Sequence, residues 1–319
     1  MRISHRLWQF EDFPDLFHLS VVYPLPNSAG PTSTGQGSLY FVYFTCWEYS
    51  VLNSTRLRDL RTIVFFVIAY SISWTAWIAL FERHLSHLAG LGLWLYLAAV
   101  LAPHGSAVVV TAVERGRAGL RAFYRLVFRS VPFRWAIVAI SVPPIVYLTR
   151  GVIANAFDLP HGLFFRHPPR TLGTLILGQL AVVLGEEPGW RGFALPRLTG
   201  RFGPNVATLI LGIVWAFWHL PLFVIAGTPQ YGTPFLPFAV MLTTWSMVIT
   251  LVVLRSRGSV VAAMLFHAAA NVCAFTMWEP DAWVLALGPW VVTAAIAGWR
   301  MQLSQLTRRS ADSSCKPPH

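Results

Sequence analysis

Two adjacent glutamates, Glu186 and Glu187, interrupt the apolar run LGQLAVVLGEEPGWRGFALPRL (Leu177–Leu198). A carboxylate at the centre of a membrane span costs about 2.5–3.5 kcal/mol on insertion scales, so such residues mark function by default. The same run carries Arg191, and two later apolar runs carry His219 (IVWAFWHLPLF) and the pair His267 and Asn271 (AAMLFHAAANVCAF). Together these types supply what hydrolysis of a carbonyl compound needs. A carboxylate can take a proton from water, an imidazole can hold that water, and an imidazole and an amide can donate to an oxyanion.

The helical repeat decides which of these groups act together. Glu187 and Arg191 are four residues apart, on one face, with the acid before the base. Glu186 is turned about 100° from Glu187 and cannot easily share that partner. Arg191 therefore neutralises Glu187 and leaves Glu186 without an evident local cation. His267 and Asn271 also lie four apart on one face. At 1.5 Å per residue, Glu186 is about 18 Å in from Leu198, His219 about 20 Å in from Val206, and His267 about 12–15 Å in from Arg257. Three separate helices bring ionisable groups to a similar depth. Pro188 removes the hydrogen bond to Leu184 and should bend the helix beside the glutamates, exposing a carbonyl.

The elements that position these residues are membrane helices. Of 319 residues, 55% are hydrophobic and only 12% charged, against about 25% charged in soluble domains. Eight apolar stretches follow one another: Ile63–Leu80, Leu91–Val113, Trp135–Leu148, Leu172–Leu198, Val206–Ala226, Phe235–Leu254, Ser259–Trp278 and Trp283–Trp299. The fold class is all-α, a polytopic transmembrane bundle of about eight spans forming one domain over residues 61–300. Residues 1–60 read as an irregular N-terminal extension, and residues 301–319 as a disordered cytoplasmic tail. No internal repeat is evident, which argues against an inverted-repeat transporter. The net charge of +11 is loop arginine rather than a nucleic-acid surface, because the basic residues cluster between apolar runs. Arginines flank alternate loops, leaving Arg83 alone in one intervening loop and none in GTPQYGTP or EPDA; the loop assigned Arg150, Arg166 and Arg170 is the exception. Both termini are accordingly expected in the cytoplasm. Lys316 as the sole lysine hints at a GC-rich bacterial genome, hence a bacterial inner membrane. Cys46, Cys273 and Cys315 have neither metal-ligand spacing nor a disulfide framework.

Glu-Glu-x-x-x-Arg at Glu186–Arg191, aromatic-x-x-x-His at Trp215–His219 and His-x-x-x-Asn at His267–Asn271 resemble, in order, the three motifs of one family. It is the CAAX-processing and bacteriocin-immunity-type intramembrane endopeptidases, the CPBP family. The resemblance runs from the second span through the seventh. Trp215 stands where the family often has Phe, and Pro188 follows the paired glutamates. The resemblance implies Glu186 as general base, His219 as a holder of the water, and His267 and Asn271 as oxyanion donors. Glu187 and Arg191 would support them. It also implies peptide or membrane-protein substrates arriving from the cytoplasmic side or laterally from lipid, and by analogy a role in bacteriocin maturation or self-immunity.

A zinc site built from Glu186, His219 and His267 is the alternative chemistry. The absence of an HExxH helix and the presence of Asn271, a poor zinc ligand, favour a mechanism without metal or other cofactor. Two other functions compete: a proton- or cation-coupled transporter, and a catalytically silent scaffold or immunity protein. Single residues have plainer readings. His104, Trp215, Trp218 and Trp245 read as packing, Cys273 as apolar filler, and Asn271 alone as interhelical glue.

Overall fold

The computed structural model describes residues 36–157, 172–276 and 283–314. The chain divides into two compact units, Met1–Leu52 and Asn53–His319. The first is described only from Gln36, as helix. The second is all helix and turn among the described residues: α1 (Gln36–Glu82, beginning in the first unit), α2 (Gly90–Val127), α3 (Phe133–Ala156), α4 (Leu172–Glu187), α5 (Leu195–Trp218), α6 (Phe235–Arg255), α7 (Val260–Thr276) and α8 (Trp283–Ser314). Residues 36–60, expected as irregular, are helical. Residues 1–35 lie outside the described residues. Likewise α8 continues to Ser314, past the point where a disordered tail was expected; residues 315–319 lie outside the described residues.

Five of these segments are long and apolar enough to cross a membrane: Leu57–Glu82, Gly90–Val127, Phe133–Ala156, Leu175–Trp218 and Phe235–Arg255; Val260–Thr276 is a shorter apolar helix. The fourth covers most of two of the expected stretches, ending at Trp218 short of the expected Ala226, and is broken at Gly203, whose φ of 76° lies in the left-handed region and is followed by Pro204. A similar break at Gly116 (φ 57°) ends the membrane-length part of α2. Helix α3 outruns its expected end at Leu148 by two turns, so Arg150 sits in a helix and not in a loop. Pro143 and Pro144 are accommodated inside it.

Helix α4 packs on α2 and α7, α5 on α6, and α3 on α7. Approach of α2 to α4 is backbone to backbone. A Cβ at Gly185 would lie 2.5 Å from the Val100 carbonyl oxygen, and one at Gly189 2.5 Å from that of Pro103. Small residues on both sides of the glutamates thus let α2 close over them, as membrane helix interfaces require.

Candidate active site

Pro188 has no N–H to give to Leu184, and the chain responds in two ways. Residues Pro188–Ala194 wind as a π-helix, and the N–H of Leu195 bonds back to Trp190 O. The carbonyl that Pro188 leaves without its helical donor is taken by His104 of α2, whose Nδ1 donates to Leu184 O at 2.8 Å. π-turns inside helices are frequent at functional sites, and this one begins directly after the paired carboxylates.

Glu186 and Glu187 separate as the helical geometry requires. Glu187 is fully buried, and its Oε1 accepts from Arg191 Nη1 at 3.1 Å. The same oxygen accepts from His267 Nδ1 at 2.7 Å, a contact between α4 and α7. Arg191 lies with its Cζ 4.3 Å from the centroid of the Trp215 ring. Glu186, also buried, takes a different donor: the indole N–H of Trp215 reaches its Oε2 at 2.6 Å.

The remaining site residues are fixed by neighbours on their own or adjacent helices. His219 Nδ1 lies 2.8 Å from the Trp215 carbonyl. A carbonyl only accepts, so Nδ1 carries the proton and Nε2 is the lone-pair nitrogen. Asn271 Nδ2 donates to Gln179 Oε1 at 2.6 Å. Trp215 stands edge-on to His267, with ring centroids 5.1 Å apart, and near His219 at 6.0 Å. One indole therefore touches both histidines, Arg191 and Glu186.

These groups share one cavity of about 490 Å³, whose wall includes Glu186, His219, His267 and Asn271, together with Trp215 and Gln179. This is within the usual range for a ligand site, about 300–1,000 Å³. Glu187 and Arg191 are not in the wall; they lie behind it. The four residues expected to meet do meet in one cavity, although His267 bonds to Glu187 and not to Glu186. Two residues were not anticipated. Trp215 had been read as packing, and Gln179 carried no signal, since its partner lies 92 positions away. Arg150, another wall residue, is 2% exposed and its Cζ lies 4.5 Å from the Tyr147 ring centroid. Among the described residues, no three His, Cys, Asp or Glu side chains are grouped closely enough to hold a metal ion.

Fold and cavity together define a polytopic helical membrane protein with a carboxylate, two imidazoles and an amide facing one buried space. The comparisons refine that class. Residues 168–273 match the family described as type II CAAX prenyl endopeptidase, Rce1-like. That segment holds all three motifs, and over it the chain is similar to the CAAX-protease family. The CAAX prenyl protease 2 of Methanococcus maripaludis is 33% identical over 92 residues, covering 27% of this chain and 34% of that protein. The aligned part thus spans about a third of the relative's length.

Proposed function

We propose that the protein is an intramembrane endopeptidase that hydrolyses a peptide bond of a membrane-associated peptide or protein, using water activated by Glu186. The observation that carries this reading is the meeting of Glu186, His219, His267 and Asn271, from three sequence-distant helical segments, in one cavity. The similarity of residues 168–273 to the type II CAAX prenyl endopeptidase family supports the same chemistry.

Each side chain has a task that its bonding suits. The Trp215 indole occupies Glu186 Oε2, leaving Oε1 to take a proton from water. His219 offers the Nε2 lone pair to the same water, because its Nδ1 proton is committed to the Trp215 carbonyl. As the water oxygen bonds to the scissile carbonyl carbon, the carbonyl oxygen becomes an oxyanion. Asn271 has a second amide N–H beyond the one given to Gln179. His267 donates through Nε2 when doubly protonated, with its Nδ1–H held by Glu187. Collapse of the tetrahedral intermediate breaks the C–N bond, and the proton held by Glu186 passes to the departing amine. Glu187 and Arg191 act through His267 and Trp215 as positioning residues.

The relative's name specifies CAAX prenyl substrates; for this chain the proposal is the broader class of membrane-associated peptides. Peptide maturation or self-immunity is the role assigned by analogy. The localisation that fits is a bacterial inner membrane with both termini cytoplasmic. The test is incubation of the purified full chain with a library of membrane-associated peptides, with products identified by mass. Discrete cleavage products support the proposal. Proton-coupled uptake without any product, lost in Glu186→Gln, would replace it with the transporter reading.

A further inference from the structure

Contacts sort the described turns and helix ends to two ends of the bundle. At the first, Glu114 of α2 binds Arg61 of α1 at 3.2 Å and Arg197 of α5 at 2.8 Å. There too Arg129 Nη1 donates to the Arg257 carbonyl at 2.9 Å, and Arg255 Nη2 reaches Ser304 Oγ at 2.7 Å. The middle of α1 around Arg61, the start of α5, the α2–α3 and α6–α7 turns and the later part of α8 therefore cluster, and this end holds most of the arginine of the described residues. At the second end, the α5–α6 loop meets the α1–α2 loop: a Cβ on Gly227 would touch His87 Cε1 at 3.5 Å. Among the described residues, the loops here contain only Arg83; residues 158–171 lie outside the described residues. Arg150, which would otherwise add to their count, belongs to the cavity wall in α3.

The cavity runs from the middle of the bundle towards the second end. Its wall uses the late part of α1 (Trp77), α3 (Arg150) and α7 (Asn271), and the early part of α2 (Tyr96), α4 (Gln179) and α6 (Phe238). It reaches the surface at the α5–α6 loop, where Gly227, Pro229, Thr233 and Pro234 are both exposed and part of the wall. Nothing in the wall comes from the arginine-rich end.

Cytoplasmic ends of membrane helices carry the arginine excess. We infer that the cavity opens to the extracytoplasmic face, and that the site takes peptide segments presented there. This departs from the cytoplasmic or lateral route that the family resemblance implied. The substrate class narrows to extracytoplasmic tails or loops of membrane-associated peptides. That last step rests on the proteolytic reading; the side on which the cavity opens does not.

The test uses the full chain in bacterial inner membrane, with Cys46, Cys273 and Cys315 replaced by alanine. Thr233→Cys reports the mouth, Met241→Cys the cavity wall, and Ala118→Cys the arginine-rich end. With a membrane-impermeant maleimide applied to spheroplasts, the first two are expected to react and Ala118→Cys to remain unlabelled. Inside-out vesicles should reverse the pattern. Labelling of Thr233→Cys or Met241→Cys only from the side that labels Ala118→Cys overturns the inference. So does a Met241→Cys that reacts from neither side. A separate arm supplies an impermeant peptide to one face of oriented proteoliposomes. Cleavage confined to the Thr233 face supports the substrate class, and cleavage confined to the other face removes it. Cleavage on neither face counts against proteolysis, while the labelling still decides the side.

Discussion

Removing Arg191 alone should damage the protein more than removing Arg191 and the Glu187 charge together. Arg191 and Glu187 are both fully buried, 3.1 Å apart, with no water-facing surface on either side chain. Loss of one partner leaves an uncompensated charge in a low-dielectric interior, which costs about 3–5 kcal/mol. For Arg191→Met the lower end applies, because His267 still donates to the same Glu187 oxygen. Glu187→Gln should reach the upper end, since it strands a guanidinium that cannot deprotonate. The double variant removes both charges and should return to within about 1–2 kcal/mol of the parent, giving a large favourable coupling in a double-mutant cycle. Unfolding in mixed micelles of increasing denaturing-detergent fraction, followed by tryptophan fluorescence, measures all four proteins. If the double variant is as unstable as the two single losses added together, the buried pair is not the unit described here.

Three further outcomes follow from the same geometry. Trp215→Phe keeps the ring against Arg191 and His267 but deletes the bond to Glu186 Oε2. A hydrogen bond to a charged group is worth about 1.5–3 kcal/mol, so kcat on a cleaved peptide should fall about tenfold or more at nearly constant KM. Gly189→Ala would place a methyl 2.5 Å from the Pro103 carbonyl oxygen and force α2 off the glutamate turn. Overpacking of this kind costs about 1–3 kcal/mol, readable as a lower thermal midpoint in detergent together with lost activity. Treatment with a strong chelator should leave peptidase activity unchanged; loss on chelation and recovery with zinc would refute the metal-free reading.

What was legible in the sequence depended on how local its cause was. Glu187 with Arg191, and the turn of Glu186 away from them, follow from the angular step of one helix, and the structure shows both. Pro188 announced a lost bond at Leu184, but not that a π-turn would follow or that His104 would take the carbonyl. Those consequences depend on how closely α2 approaches, which Gly185 and Gly189 permit. Trp215 is the instructive miss. Its spacing identified it as the aromatic of a motif, yet an indole N–H aimed at Glu186 is a meeting of residues 29 apart that no periodicity encodes. Arg150 was read as a loop residue because the apolar run ends at Leu148. Packing of α3 on α7 carries the helix through both prolines to Ala156.

The central claim is that Glu186 removes the proton from the attacking water. Once a cleaved peptide is identified, kcat of the Glu186→Gln variant tests it directly, with folding checked by its thermal midpoint. Glutamine preserves the shape and still accepts from Trp215 but cannot take a proton. The account predicts a fall of about a hundredfold or more, the scale of positioned general-base catalysis. Turnover within a few-fold of the parent by a correctly folded variant would contradict it.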